Sequence, residues 1–299
     1  MKKPITVVWL KRDLRLDDHA PLKKAAEIGL PTLIFYAWEP SLLSAPNYSN
    51  RHWNFIAESL SEMKTELQRF DLVLLQVYSE VIDLLKSIGE KYEIKYLVSH
   101  EETGLKITFD RDLAIKSYCK AENIQWLEFQ QFGIQRGRQN RHEWSKLWYS
   151  FMSLKIIQND LGAIDGLQFE GLSDLKIISN PKELNINREK GIAQTGGSTK
   201  AKQYLNSFLK ERHKDYSKSI SKPTEARKSC SRLSPYLAYG NTSMRMVYQS
   251  MMKAKDHGNK SALNNFASRL RWHCHFIQKF EMEERYEFEN INRGYNSIR

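Results

Sequence analysis

Three features of this 299-residue chain predict an α/β fold, a doubly wound parallel sheet of five strands, followed by an all-α region. Over the first 132 residues, five short apolar, β-branched or aromatic runs alternate with helix-period segments, and such alternation builds parallel sheets with right-handed crossovers. Beyond residue 195 only the helical period recurs. The length and the 41% hydrophobic content allow about two domains with real cores.

The strand runs are Thr6 to Leu10, Thr32 to Trp38, Leu72 to Val77, Tyr96 to Ser99 and Ile124 to Phe129, as expected of strands buried on both faces. Between them Ala20 to Ile28, Trp53 to Arg69, Val81 to Lys91 and Ile107 to Glu122 read as helices. Trp53, Ile56, Leu60, Met63 and Leu67 form one buried helix stripe.

Ligands of such sheets sit beyond the strand C-termini, which draws attention to two turns. The first is Lys11-Arg12-Asp13-Leu14-Arg15-Leu16-Asp17-Asp18-His19. It reads as a ligand contact or as an Arg-Asp network that fixes a loop. The second is Ser99-His100-Glu101-Glu102-Thr103-Gly104, whose glutamates either accept hydrogen bonds from a heterocycle or cap the helix beginning near Lys106. No glycine fingerprint follows the first strand, and Thr195-Gly196-Gly197-Ser198-Thr199-Lys200 lacks P-loop spacing, so a standard dinucleotide or NTPase site is not expected.

Residues 133–195 read as an interdomain linker that lies against both domains. Arg136, Arg138 and Arg141 suit a solvated basic face or phosphate contacts. Trp144, Leu147, Trp148, Phe151 and Met152 suggest a helix packed by aromatics, and Pro181, Asn185, Asn187 and Gly191 mark the connection.

Residues 196–299 are helical. Ser198 or Thr199 suits the cap of a helix carrying Tyr204, Leu205, Phe208 and Leu209. In Ser229 to Gly240, Ser234 suits an N-cap, Pro235 the first helical position and Gly240 the residue past the helix end. That stretch is either an anion-binding helix entrance or an ordinary capped helix. Thr242 or Ser243 starts a helix from Met244 to Lys255. The last helix, Ala262 to Glu284, has a core stripe of Leu263, Phe266, Leu270, Cys274 and Ile277. A second stripe holds Arg269, Trp272, His273, Phe276 and Phe280. Aromatics beside arginine suit a flat heterocycle or an unstacked base, although a helix buried on two sides gives the same pattern.

Lys and Arg outnumber Asp and Glu by 46 to 35, a net +11, so an extended polyanion is a plausible partner. Cys119, Cys230 and Cys274 are far apart, which argues against a disulfide scaffold or a zinc module and fits a reducing cytoplasm. The apolar run Ile5 to Leu10 is too short for a signal peptide, and no membrane span is expected. His273-Cys274-His275 cannot converge on one ion, because adjacent helical residues point about 100° apart, so no metal site is expected.

Three segments carry a resemblance to the photolyase and cryptochrome flavoproteins. Val8 to Leu22 resembles the family's N-terminal signature, Ser231 to Gly240 its flavin-phosphate segment, and Arg269 to Phe276 its substrate-side helix, with Trp272 at the family tryptophan. The resemblance implies an antenna domain over residues 1–132, a linker over 133–195 and the N-terminal part of a helical FAD-binding domain over 196–299. Tyr216, Cys230, Ser231, Arg232, Leu233 and Ser234 would then contact the FAD phosphates and ribitol. Trp272 would meet a pyrimidine dimer flipped out of a damaged DNA duplex. An antenna chromophore, a folate or a deazaflavin, would lie near His100, Glu101 and Glu102.

The implied reaction is light-driven electron transfer from reduced, excited FAD to the dimer, in a cytoplasmic monomer. Arg269 stands where repair enzymes of the family usually carry a carboxylate, His273 where they carry arginine, and Cys230 where a hydroxyl is common. These substitutions resemble a less typical bacterial branch and keep two other readings open: a cryptochrome-like receptor without repair activity, and a non-catalytic DNA-binding remnant. Family members continue past this length, so the helical domain is expected to be incomplete and to hold FAD weakly or not at all.

Overall fold

The computed structural model describes residues 2–168, 175–186 and 193–298; the linker markers Asn187 and Gly191 lie outside the described residues. Strands β1 (Lys3–Leu10), β2 (Thr32–Ala37), β3 (Leu74–Val77), β4 (Tyr92–His100) and β5 (Gln125–Phe129) form one parallel sheet in the order β3-β2-β1-β4-β5. Helices α1 (Ala20–Ile28), α2 (Pro40–Leu43), α3 (Asn50–Gln68), α4 (Val81–Lys91) and α5 (Lys106–Ala121) connect them. α1 and α3 cover one face through Leu22, Trp53, Leu60 and Met63 against Val8, Ile34 and Leu74. α4 and α5 cover the other through Leu84, Ile88 and Ile115 against Val7, Phe35 and Leu75. Burial on both faces is why these strands read as continuous apolar runs.

The helical part comprises α6 (Trp144–Ser153), α7 (Ser198–Lys210), α8 (Tyr216–Ser219), α9 (Pro223–Ser229), α10 (Ser234–Ala238), α11 (Met244–Ala254) and α12 (Lys260–Met282). Its core packs the Phe208 ring tilted at 58° against Phe266, centroids 4.6 Å apart, with Tyr216, Tyr236, Met244, Met251, Leu263 and Cys274 around them. Burying each such large side chain stabilises the fold by about 1.5–3 kcal/mol.

The segment between β5 and α7 divides between the two cores. Trp144, Trp148, Phe151 and Met152 of α6 pack into the helical core, whereas Leu161, Ile164, Ile178 and Ile186 pack onto the α1 and α3 face of the sheet.

Two helix starts differ from the sequence expectation. Neither Ser198 nor Thr199 caps α7; the N-cap is Gly197 at φ 107°, and the Ser198 hydroxyl donates to the Asn241 carbonyl at 2.8 Å. The free N–H groups of Gly196, Gly197 and Thr199 donate instead to Glu58, Ser59 and Glu62 of α3. A Cβ on Gly196 would lie 2.1 Å from the Phe55 carbonyl, so the glycine is needed for this close docking. At α10, Ser234 is the first helical residue and Leu233 the N-cap, with no side-chain cap bond. The reason is Arg232, whose φ of 61° turns the chain so that the Ser231 hydroxyl accepts from the Leu233 N–H at 3.4 Å. Ser243 does cap α11, accepting from the Met246 N–H at 3.0 Å.

Candidate functional site

The turn after β1 is a buried charge network. Lys11 pairs with Asp112 at 2.9 Å, and Arg12 with Glu102 at 3.3 Å. Asp13 Oδ1 accepts from the Lys11 N–H at 2.7 Å, while its Oδ2 lies 2.7 Å from His100 Nδ1 and 3.0 Å from His19 Nε2. His19 Nδ1 accepts from the Leu22 N–H, so the ring caps α1 and carries its proton on Nε2, toward Asp13. Burial raises the Asp13 carboxyl, but the two imidazoles outweigh it and hold it well below its ordinary value. Burial pushes His100 down to about 3 against the pull of Asp13, so the ring is neutral.

The ligating atoms of Asp13, His19 and His100 lie within 4.8 Å of one another, a cluster drawn from the turn after β1, the N-cap of α1 and the end of β4 that no local spacing marks in the sequence. Both rings converge on the one Asp13 carboxylate, and the burial of all three residues makes the cluster a lock for the turn, although His19 Nε2, 3.0 Å from Asp13 Oδ2, is left without a well-formed hydrogen bond.

The same turn holds the two halves of the molecule together. Arg15 donates to the Asp18 carbonyl at 3.0 Å and to the Gly240 carbonyl at 3.1 Å. Asp18 receives a bidentate fork from Arg245 of α11, at 2.6 and 3.1 Å, and accepts from the Ile157 N–H at 3.0 Å. Burial raises Asp18, but these partners bring it below the ordinary range. The Leu14 N–H donates to the Tyr239 carbonyl, and Asn241 donates to the Leu14 carbonyl. Gly240 has φ 71°, and a Cβ there would lie 2.2 Å from the Arg12 carbonyl and 2.6 Å from Asp13 Cα. The end of the Ser229 to Gly240 stretch is thus seated on the charged turn.

Its beginning faces elsewhere. The Cys230 thiol and the Arg269 guanidinium of α12 both act electrostatically on the Tyr216 phenol. Burial pushes the Tyr216 phenol up to about 12. Ser231 is partly exposed and Ser234 exposed. Leu233 is buried in the helical core, and the Arg232 side chain turns to Gln194 at 3.3 Å. Arg212 braces the loop by donating to the carbonyls of Cys230 and Ser231.

The proposed antenna residues fare differently from one another. His100 is locked on Asp13 inside the domain and presents no free edge. Glu102 is drawn to Arg111 at 2.6 Å; burial raises it, but Arg111 and Arg12 outweigh burial and lower it. Glu101 is half-buried, and burial raises its carboxyl. Neither glutamate caps α5, whose Lys106 N–H donates to Glu287 at 2.7 Å. Glu39, which no sequence signal marked, bonds Arg111 at 2.6 Å, and burial pushes it up to about 7. These pairs leave a crevice of only about 30 Å³ at the C-terminal end of the sheet. A cleft of about 500 Å³ lies beside it, between the domains, walled by Tyr48, Tyr239, Leu105, Phe276 and Phe280.

On α12 the core stripe is buried through Leu263, Phe266, Leu270 and Cys274. The second stripe is open: Trp272 is 46% and Phe276 60% exposed, while His273 is mostly buried against Phe132. The Arg269 guanidinium lies 4.5 Å from the Trp272 ring. Residues 196–299 hold 20 Lys and Arg against 9 Asp and Glu, so this part alone carries the net +11 of the whole chain. Among the described residues no helix is long and apolar enough to cross a membrane.

Comparison with known proteins fits this geometry. Residues 6–133 match the family model described as DNA photolyase. A cryptochrome DASH of Synechocystis is 24% identical over 280 residues, covering 84% of this chain and 55% of that protein. Cryptochrome-2 of Arabidopsis thaliana is 24% identical over 264 residues, covering 82% of this chain and 42% of that protein. The structure of a bacterial class III photolyase from Agrobacterium tumefaciens superposes with a TM-score of 0.84 at 19% identity, over 100% of this chain and 63% of that one. An archaeal photolyase from Sulfolobus tokodaii, solved with two FAD molecules, gives 0.74 at 19%, over 99% of this chain and 64% of that one. The chain therefore spans about half the length of the curated relatives it matches.

Proposed function

Because the chain belongs to the photolyase and cryptochrome family of flavoproteins, we propose that it serves light-dependent DNA repair of the deoxyribodipyrimidine photolyase type, with FAD held by its helical part. The observation that carries this reading is the open α12 face. There the Arg269 guanidinium lies 4.5 Å from the exposed Trp272 ring and acts electrostatically on Tyr216, on the part of the chain that holds all the net positive charge. The donor set suits a flavin's phosphates in part. Of the expected donors, Ser234 is exposed and Ser231 and Cys230 partly so, whereas Tyr216 and Leu233 serve the core and Arg232 fixes the loop against Gln194. When bound, reduced FAD supplies light-driven one-electron chemistry. Arg269 attracts DNA phosphate or the flavin's own charge, and Trp272 offers a ring face to a flipped base.

The same reading makes residues 1–132 an antenna domain, 133–195 a linker and 196–299 the FAD-binding part. A planar folate or deazaflavin would meet the aromatic interdomain cleft rather than His100, which the core has taken. A receptor without repair activity is the second reading, favoured by a cation, Arg269, at the substrate face and by curated relatives named as cryptochromes.

The test is illumination of the purified, FAD-reconstituted chain with an oligonucleotide containing a thymine dimer. Restored thymine absorbance supports repair. Stoichiometric flavin without restored absorbance supports the receptor, and failure to retain any flavin removes both and leaves the non-catalytic DNA-binding remnant.

A further inference from the structure

We propose that a groove on the outer side of α7 is a binding site for a phosphorylated small molecule of mononucleotide size, separate from the flavin donors and from the DNA face. The groove has a volume of about 540 Å³, within the range of ligand pockets, and is walled by Gln194, Lys200, Gln203, Tyr204, Ser207 and Arg232. No residue of α12 lines it. Its α7 wall is one stripe of the helix: Lys200, Gln203, Tyr204 and Ser207 recur at helical spacing, on the side away from the buried Ala201, Leu205 and Phe208.

The charge around the groove is uncompensated. Lys200 Nζ donates to Gln203 Oε1 at 3.1 Å, and Arg232 donates to Gln194 Oε1 at 3.3 Å. Arg212, just past the end of α7, stands behind the wall. It donates to the Ser207 hydroxyl at 3.0 Å and to the Tyr204 carbonyl at 2.6 Å, and its guanidinium lies 5.8 Å from the Tyr204 ring. Its remaining acceptors are the carbonyls of Cys230 and Ser231. Every oxygen that these cations reach among the described residues is neutral. Glu58 of α3 is turned instead to the Gly196 N–H at 2.7 Å. Burial lowers the Arg212 guanidinium, and the charge of Arg232 lowers it further, so the two cations repel one another. An anion in the groove offsets that repulsion.

The loop that carries the flavin donors serves this groove with a different residue. The left-handed backbone at Arg232, φ 61°, sends its side chain to Gln194, whereas the Cys230 thiol acts on Tyr216. Lys200, Gln203, Tyr204 and Ser207 belong to no flavin donor set. A guanidinium fork matches phosphate oxygens, and a lysine adds a point charge. The partly exposed Tyr204 ring offers a flat face to a base, and the Gln203 amide suits the edge of a heterocycle. Phosphate charge beside a flat ring face describes a mononucleotide better than a bare inorganic ion.

The experiment is isothermal titration calorimetry of the purified chain with adenosine monophosphate, inorganic pyrophosphate and sulfate at low salt, with and without added FAD. The mononucleotide is expected to bind one to one, at least about tenfold more tightly than sulfate, and alongside any flavin. Arg232→Gln is expected to weaken the mononucleotide and pyrophosphate by about tenfold or more, equivalent to about 1.4 kcal/mol. Lys200→Gln, at an exposed position that puts no fold at risk, should weaken both by about two- to fivefold. Tyr204→Leu keeps apolar bulk and should weaken the mononucleotide by about fivefold or more while sparing pyrophosphate.

Heats that never saturate, or equal affinity for sulfate and the mononucleotide, reduce the groove to diffuse basic surface and overturn the proposal. Undiminished binding in both Arg232→Gln and Lys200→Gln overturns it as well. Displacement of bound flavin by the mononucleotide assigns these cations to the flavin's own phosphates, which overturns the separate site and leaves the flavin reading standing. An oligonucleotide that binds through Arg232 and Lys200 where the mononucleotide does not gives the groove to a DNA backbone and also overturns the proposal.

Discussion

His100 and Asp13 illustrate how one buried pair sets the acid limit of the fold. The folded pKa of His100, about 3, lies below its ordinary value of 6.5, so the unfolded chain binds a proton that the folded one refuses. Stability from this group is complete above about pH 6.5 and is lost as pH falls toward 3. Between about pH 6 and pH 4 the loss amounts to about 2–3 kcal/mol. Asp13 is lowered as well, so its own stabilisation is present above the ordinary carboxylate range and fades only as pH falls through its depressed folded value. It therefore adds little slope between pH 6 and 4. His100→Gln is expected to flatten the fall of the urea midpoint across that interval, at some cost in stability near neutral pH. An unchanged slope would mean that the ring is not held neutral. Cys230, Tyr216 and Ser234 belong to the same scale: their residue types were suggestive in sequence, but Leu233 and Arg232 between them face the core and Gln194, a distinction set by one left-handed residue at 232.

The glycines that end α1 and follow α10 separate local from tertiary demand. Gly29 ends α1 at φ 69° with nothing within 4 Å of an added Cβ, whereas Gly240, at φ 71°, rests on the Arg12 carbonyl. Gly29→Ala is expected to cost about 1 kcal/mol, the backbone penalty alone. Gly240→Ala adds a steric displacement and is expected to cost about 2–4 kcal/mol. Denaturant unfolding of both variants checks the difference, and equal losses would remove the close docking of α10 on the charged turn. At α7 the expected serine cap is absent because α3 supplies the acceptors. Glu62→Ala should therefore destabilise by about 1 kcal/mol, as loss of a cap does. Local capping rules found α11, where Ser243 accepts from an N–H of its own helix, and missed α7, whose acceptors lie 137 residues away.

At the scale of the molecule, Asp18 joins the sheet turn, the linker at Ile157 and α11 through Arg245. Removing one member of a buried pair leaves an unpaired charge, so Asp18→Ala is expected to cost about 3–5 kcal/mol. Because the pair spans the two halves, calorimetry should then resolve two unfolding transitions where the native chain shows one. A single transition of unchanged cooperativity would mean that the interdomain bonds do not couple the halves. The doubly wound sheet was legible because strands buried on both faces leave long apolar runs, and the helical region because its core stripe repeats at the helical period. The charged turn was legible as a network, but its partner 225 residues away at Gly240 was not. No periodicity records which distant carbonyl a guanidinium will reach.

Sequence by itself determined the five strands, the longer helices, their order and the unusual second stripe of α12, because each depends on side-chain chemistry recurring at a fixed local spacing; the short helices α2, α8 and α9 carry no such repeat. Only the tertiary structure decided which charged and polar residues remain available for ligands. Asp13, His19, His100, Glu102 and Asp18 are consumed by contacts between distant segments, whereas Trp272 and Phe276 are left open. Burial and partnership depend on what folds against a residue, and that information is spread over the whole chain.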